Sequence, residues 1–288
     1  MNDNIVITSD STTDLTDELK ERYNIKVLPL GVTLGDKVYR DGIDINPDDI
    51  YAHQEKTGEL PKTTATNVGE CIEFFEEFVK QGKTVIHFSL CSKMSSTYNN
   101  ACIAASELEN VYIIDTQNLS TGAGLLVLSA AEMVKSGMDA KTVVEETNKL
   151  IDKVDTSFVL SSLEYLHKGG RCSALSVLGA NLLKLKPCIE VKDGVMGVGK
   201  KYRGKYSDVV KQYVLDRIAD ADDICLDRVF ITHSGCDMKL MEETIELVKK
   251  TLPFKEVFFA RAGCTISSHC GPNTMGILFI RKTPIVKD

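Results

Sequence analysis

Short apolar runs alternating with helical stretches constrain this chain more than any other feature. Residues 5–8 (Ile-Val-Ile-Thr), 25–30, 84–89 and 111–115 have strand length and read as buried strands. Strands of this kind belong to a mostly parallel sheet covered by helices. The intervening segments supply the helices: residues 15–23, 70–81 ending at Gly82, 123–136 ending at Gly137, and 138–153. The pattern changes near residue 155. A strand candidate at 158–160 precedes a Leu-rich helix with Leu163, Leu166 and Gly169-Gly170-Arg171. A hairpin is expected around the Asp193-Gly194 turn. Helices at 209–219 and 238–251 then alternate with strands at 229–233, 257–260 and 276–280. A length of 288 residues suits two domains, drawn here at 1–157 and 158–288.

Bulk properties narrow the function. The net charge of −7 disfavours nucleic acid as a main partner. No apolar stretch is long enough to span a bilayer. The N-terminal MNDNIVITSD lacks the basic and apolar regions of a signal peptide, which predicts a cytoplasmic protein. The nine cysteines are odd in number and form no CxxC pair, against a disulfide framework or a zinc ribbon. No GxGxxG or GxxxxGK[ST] motif is present, so neither a dinucleotide nor a phosphate loop is indicated and no cofactor is expected.

Ligands of open parallel sheets bind beyond the carboxyl ends of the strands. There the chain places hydroxyl-rich segments: Ser9-Asp10-Ser11-Thr12-Thr13, residues 89–98 and residues 115–122. Two more are Pro61-Lys62-Thr63-Thr64-Ala65-Thr66 and the segment Thr265 to Pro272, which contains His269. Hydroxyls and helix-start N–H groups can hold an anion, and a histidine adds a donor. The plainer reading is that each Ser or Thr caps the next helix. Recurrence after several strands favours an anion site. Other polar candidates are weaker. His87 reads as a core histidine, His53 as solvated, and His233 with Cys236 as too few ligands for a metal. Asp41, Asp44, Asp48 and Asp49 read as a solvated face or helix N-terminal charge.

Taken together, several segments resemble the DegV family of bacterial fatty-acid-binding proteins along nearly the whole chain. They are Val6-Ile7-Thr8-Ser9-Asp10-Ser11-Thr12, LCSKMSSTYNNA at 90–101 and LEYLHKGGRCS at 163–173. Leu185-Lys186-Pro187, Lys201-Tyr202-Arg203 and His269-Cys270-Gly271-Pro272 complete the match. The resemblance implies a Rossmann-like N-terminal α/β domain packed on a second α/β domain. It implies a long-chain fatty acid whose tail enters an apolar tunnel, and a separate fatty acid kinase as partner. The carboxylate contacts it implies are Ser95, Thr63 with its neighbour Thr64, and His269. Arg171 and Arg203 match recurrent family arginines, as ligand gate or partner contact. Ser96, Ser267 and Asn273 stand where the family has glycine, which is expected to reshape the carboxylate end.

A carrier needs no general base, and no catalytic set is evident. The alternative is a hydrolase using Ser95 with His269 on a small acyl ester, although no G-x-S-x-G elbow surrounds Ser95. Phosphoryl transfer by the chain itself would need a phosphate loop or Mg²⁺ set that the sequence lacks.

Overall fold

The computed structural model describes residues 4–175 and 185–285. The first half begins with β1 (Ile5–Asp10), α1 (Asp17–Arg22) and β2 (Lys26–Leu28). It turns aside through β3 (Gly31–Leu34), β4 (Lys37–Arg40), α2 (Pro47–Thr57) and β5 (Lys62–Thr64). It continues with α3 (Val68–Val79), β6 (Thr84–Ser89), α4 (Thr97–Ser106), β7 (Val111–Asp115), α5 (Ser120–Lys135) and α6 (Ala140–Asn148). The second half holds β8 (Val154–Leu160), α7 (Glu164–Gly169), β9 (Lys186–Lys192), β10 (Val195–Tyr202) and α8 (Tyr206–Arg217). β11 (Ile224–His233), α9 (Met238–Thr251), β12 (Glu256–Arg261), α10 (Cys264–Cys270) and β13 (Thr274–Arg281) follow. Among the described residues, no helix is long and apolar enough to cross a membrane.

Three sheets result. The first, in order β2-β1-β6-β7, is parallel throughout, as its doubly buried strands require. The second, in order β10-β9-β8-β13-β11-β12, is antiparallel except between β11 and β12. A small antiparallel sheet, β4-β3-β5, is inserted in sequence between β2 and β6 of the first sheet and carries Thr63.

Alternation along β8 explains how the halves meet. Val159 packs with Tyr213 and Val248 in a core under α8 and α9. Phe158 and Leu160 face the other way, into a cluster with Leu119, Leu166 and Ile266. The same side of the sheet also supplies Val154, Phe230 and Leu278 to the core of the first half, where they pack with Leu125, Leu128 and Ile86. Helix α5 is therefore covered on nearly every side, which is why its sequence is apolar almost throughout. Gly122 lets it approach closely: a Cβ there would collide with Thr156 and Asn118.

The structure moves several expected boundaries. The strand expected over 25–30 stops at Leu28. Pro29 has no N–H for the ladder, and Gly31 begins a strand of a different sheet. The helix expected over 15–23 starts only at Asp17, because Thr16 Oγ1 caps it by accepting from Leu19 N. The helix expected over 138–153 is two elements. Asp139 caps the N–H groups of Lys141 and Thr142, so α6 begins at Ala140; it ends at Asn148, before a 3₁₀ turn over Ile151–Lys153. β8 starts at Val154, four residues before the expected strand. Two of its polar entry residues are satisfied: Asp155 pairs with Arg217 and Arg281, and Ser157 bonds Tyr213. The hairpin turn is as expected, with Asp193 at φ 51° and Gly194 at φ 69°.

Candidate ligand-binding site

A cavity of about 410 Å³ lies between the two halves. Its walls come from the loops after β6 and β7, from β5, from the inner face of β8, and from α7 and α10. Leu30, Leu90, Met94, Leu119, Phe158, Leu166, Met196 and Ile266 make most of the lining apolar. Thr63, Thr64, Ser95, Arg171 and His269 all line it as well.

Two of these five are in direct contact. Thr63 Oγ1 lies 2.9 Å from His269 Nε2, joining β5 to α10 across 206 residues of sequence. Ser95 bonds neither. Its Oγ accepts from Thr97 N at 3.2 Å and sits 2.9 Å from Thr97 Oγ1, a local turn at the start of α4. Thr64 and Arg171 are exposed, and Arg171 Nη1 donates to Gly169 O at 2.7 Å. Ser96 is exposed and lines the cavity; Ser267 and Asn273 do not line it.

His269 is held neutral. Burial and, secondarily, the positive charge of Arg171 push its pKa down to about 4. Its Nδ1 is buried with no hydrogen-bond partner among the described residues. Among the described residues, no carboxylate bonds the ring, and the Ser95 hydroxyl lies against Thr97 rather than His269.

Helix α10 is positioned from the first half of the chain. Asp14 Oδ1 accepts from Gly263 N at 2.8 Å, and Asp41 accepts from Cys264 N at 2.7 Å and Thr265 N at 3.0 Å. Three consecutive orphan N–H groups are thus satisfied by two carboxylates. Asp41 is buried, against the expectation of a solvated face. It sits beside the short helix it caps, and Ser11 donates to it at 3.1 Å. Asp48 and Asp49 do occupy the first turn of α2, capped by Asn46. Desolvation raises the Asp14 carboxyl well above the usual carboxylate range, with Ser120 and Gly263 bonds opposing.

The remaining histidines have other roles. His87 lies in the core, with Nδ1 2.9 Å from Thr8 Oγ1 and its Nε2 buried without a partner among the described residues. It is a core histidine, but half-satisfied. His53 is half-buried rather than solvated, and its Nε2 has no hydrogen-bond partner among the described residues. His233 accepts from Gly235 N and Cys236 N and stacks on Phe259 at 4.6 Å. Among the described residues, no group of three or more His, Cys, Asp or Glu could hold a metal.

Sequence reasoning missed residues whose role depends on closeness. Gly169 leaves room for the His269 ring of the site, and Gly271 for the neighbouring Tyr165, whose ring a Cβ on Gly271 would approach to 2.7 Å. The Gly169-Gly170 pair was a visible signal, yet only Gly170 has positive φ, at 69°. Nothing in the sequence ties Asp14 or Asp41 to α10, because their partners lie more than 220 residues away.

Comparison with known proteins is consistent across sequence and structure. Residues 4–282 match the family model described as uncharacterised protein, DegV family. A DegV domain-containing protein of Clostridium acetobutylicum is 32% identical over 280 residues, covering 96% of this chain and 99% of the relative. A fatty-acid-binding DegV family protein of Thermus thermophilus superposes with a TM-score of 0.89 at 28% identity, covering 96% of this chain and 99% of that one. A stearic acid-binding protein of Eubacterium ventriosum gives a TM-score of 0.84 at 29% identity, covering 96% and 98%.

Proposed function

From the premise that this chain belongs to the DegV family, we propose that it binds a long-chain fatty acid and presents it to a separate fatty acid kinase in the cytoplasm. The observation that carries the reading is the contact of Thr63 with His269 in a cavity that is otherwise mainly apolar. Small-molecule pockets of about 300–1,000 Å³ with few, placed polar groups are the usual form of such sites.

The division of labour follows from chemistry. The acyl tail enters the apolar part, where each buried CH₂ contributes roughly 0.8 kcal/mol. The carboxylate lies against Thr63, Ser95 and His269, whose hydroxyls and ring N–H donate to it. Thr64 and Arg171 stand at the rim. Arg171 adds positive charge without a buried ion pair, which avoids a large desolvation cost. Arg203 is exposed, as is Arg171, so both are accessible to a kinase.

The test is mass spectrometry of an organic extract from the denatured, purified protein. A near-stoichiometric fatty acid is expected. An empty extract, repeated after incubation with mixed fatty acids, overturns the reading. The kinase step is tested separately, by acyl-phosphate formation when the loaded protein meets a fatty acid kinase and ATP. No product with any such kinase removes that half.

A further inference from the structure

Beneath the cavity lies a second void of about 30 Å³. Leu119, Phe158, Ile266 and Cys270 line both spaces, so these four side chains form the partition between them. All four are buried.

One residue in the second sheet contributes to the space. Gly276 of β13 pairs with Phe158 of β8 on one side and Thr232 of β11 on the other. Phe158 and Thr232 line the void, and Gly276 leaves a notch between them. A Cβ on Gly276 would lie 3.0 Å from Ser157 O, 3.2 Å from Leu278 Cδ1 and 3.4 Å from Phe158 Cβ, in the tight range where neighbours must yield.

The chemistry of the void suits an apolar guest. All but one of its hydroxyls are already engaged within the protein. Ser120 donates to Asp14, Thr232 pairs with Thr121 at 2.6 Å, and Thr274 donates to Cys270 O at 3.0 Å. Thr156 Oγ1 lacks a partner among the described residues, but it packs against Gly122 of α5.

Size gives the void a consequence. An apolar cavity of about 150 Å³ takes up benzene, or about 25 Å³ per carbon. On that scale the outer cavity accommodates roughly sixteen carbons and the inner void roughly one more.

We infer that the inner void, kept open by Gly276 and gated by Phe158, receives the far end of the acyl chain and sets the upper limit of chain length. This rests on the fatty-acid reading above. Chains shorter than about sixteen carbons stop at the partition. Chains of about seventeen or eighteen carbons pass Phe158 and end over Gly276, and longer ones overfill the site.

The experiment measures dissociation constants of saturated C14, C16, C18 and C20 acids for wild type, Gly276→Ala and Phe158→Leu. Gly276→Ala is expected to leave C14 within about twofold and to weaken C18 about tenfold or more, corresponding to about 1.4 kcal/mol per tenfold. Phe158→Leu, which thins the gate, is expected to shift preference toward C18 and C20. Circular dichroism and a cooperative thermal melt show that each variant is folded, and Phe158→Leu carries the test if Gly276→Ala does not fold. A C14-to-C18 ratio unchanged in the folded variants overturns the gate while leaving the fatty-acid reading intact. A wild type that binds none of the acids overturns that reading itself.

Discussion

A Cβ on Gly169 would lie 2.5 Å from Nδ1 of His269. The glycine of α7 thus lets the imidazole of α10 sit where its other nitrogen meets Thr63. Gly169→Ala should push the ring off Thr63 and weaken fatty-acid binding nearly as much as His269→Ala. A hydrogen bond to a charged group contributes about 1.5–3 kcal/mol, so both losses should fall near that range. Calorimetric titration with palmitate checks it. Affinity unchanged in His269→Ala would remove the histidine from the carboxylate site.

Binding should take up a proton. In the free site His269 is neutral, with its pKa near 4. A bound carboxylate beside it favours the charged imidazolium and moves that pKa upward. Affinity should therefore rise as pH falls from 8 toward 6. Titration in two buffers of different ionisation enthalpy reads the uptake directly. His269→Gln should show none.

Acid sensitivity should trace partly to His87. Burial holds its pKa near 3, against 6.5 when unfolded. The native state thus binds fewer protons than the unfolded chain between those values. Its stabilising contribution is full above pH 6.5 and is lost as pH falls toward 3. The slope is up to about 1.4 kcal/mol per pH unit for one group. Asp10 and Asp14, raised by burial, act in the opposite sense, losing stability as pH rises through their folded values. The difference between wild type and His87→Phe in urea melts from pH 7 to 4 isolates the histidine. Parallel pH profiles for the two proteins would refute the assignment.

Removing Asp41 should loosen α10. Asp41→Ala leaves the N–H groups of Cys264 and Thr265 without acceptors, at a cost of about 1–3 kcal/mol each. Asp41→Asn keeps an acceptor oxygen and should recover part of the loss. Thermal melts rank the two, and equal melting temperatures for both variants and wild type would rule out the clamp.

Backbone geometry sorts the three positions where the resemblance implies glycine in the family. Asn273 sits at φ 56°, a conformation that asparagine tolerates better than most residues. Asn273→Gly should be nearly neutral, and Asn273→Val should cost about 1–3 kcal/mol by denaturant melts. Ser96 has φ −75°, and Ser267 lies within α10, bonding Ala262 O at 3.1 Å. Neither requires a glycine, so the backbone at these two positions is unstrained.

These positions also show what the sequence could and could not disclose. The central strands of the parallel sheet were legible because burial on both faces leaves a mainly apolar run, as with Val85, Ile86 and Phe88 in β6. Helix α9 was legible end to end because Asp237 caps it and its apolar face repeats. The candidate ligand residues came from family resemblance together with hydroxyls after strands. The small β4-β3-β5 sheet was not legible. Its strands are three or four residues long and half-exposed, so no periodicity accumulates. Asp41 was read as a solvated face or a helix N-terminal charge; it is the second, but its burial and its partners Cys264 and Thr265 lie far off in sequence, and nothing near it reports them.

The place of β13 in the second sheet has a consequence for synthesis. The last strand of the described chain lies between β8 and β11, near the middle of six. Until residues 274–281 have left the ribosome, β8-β9-β10 and β11-β12 share no edge. The parallel sheet of the first half is complete at β7 and can form earlier. A nascent chain stalled before residue 274 should therefore carry a protease-resistant first half and a second half open to digestion.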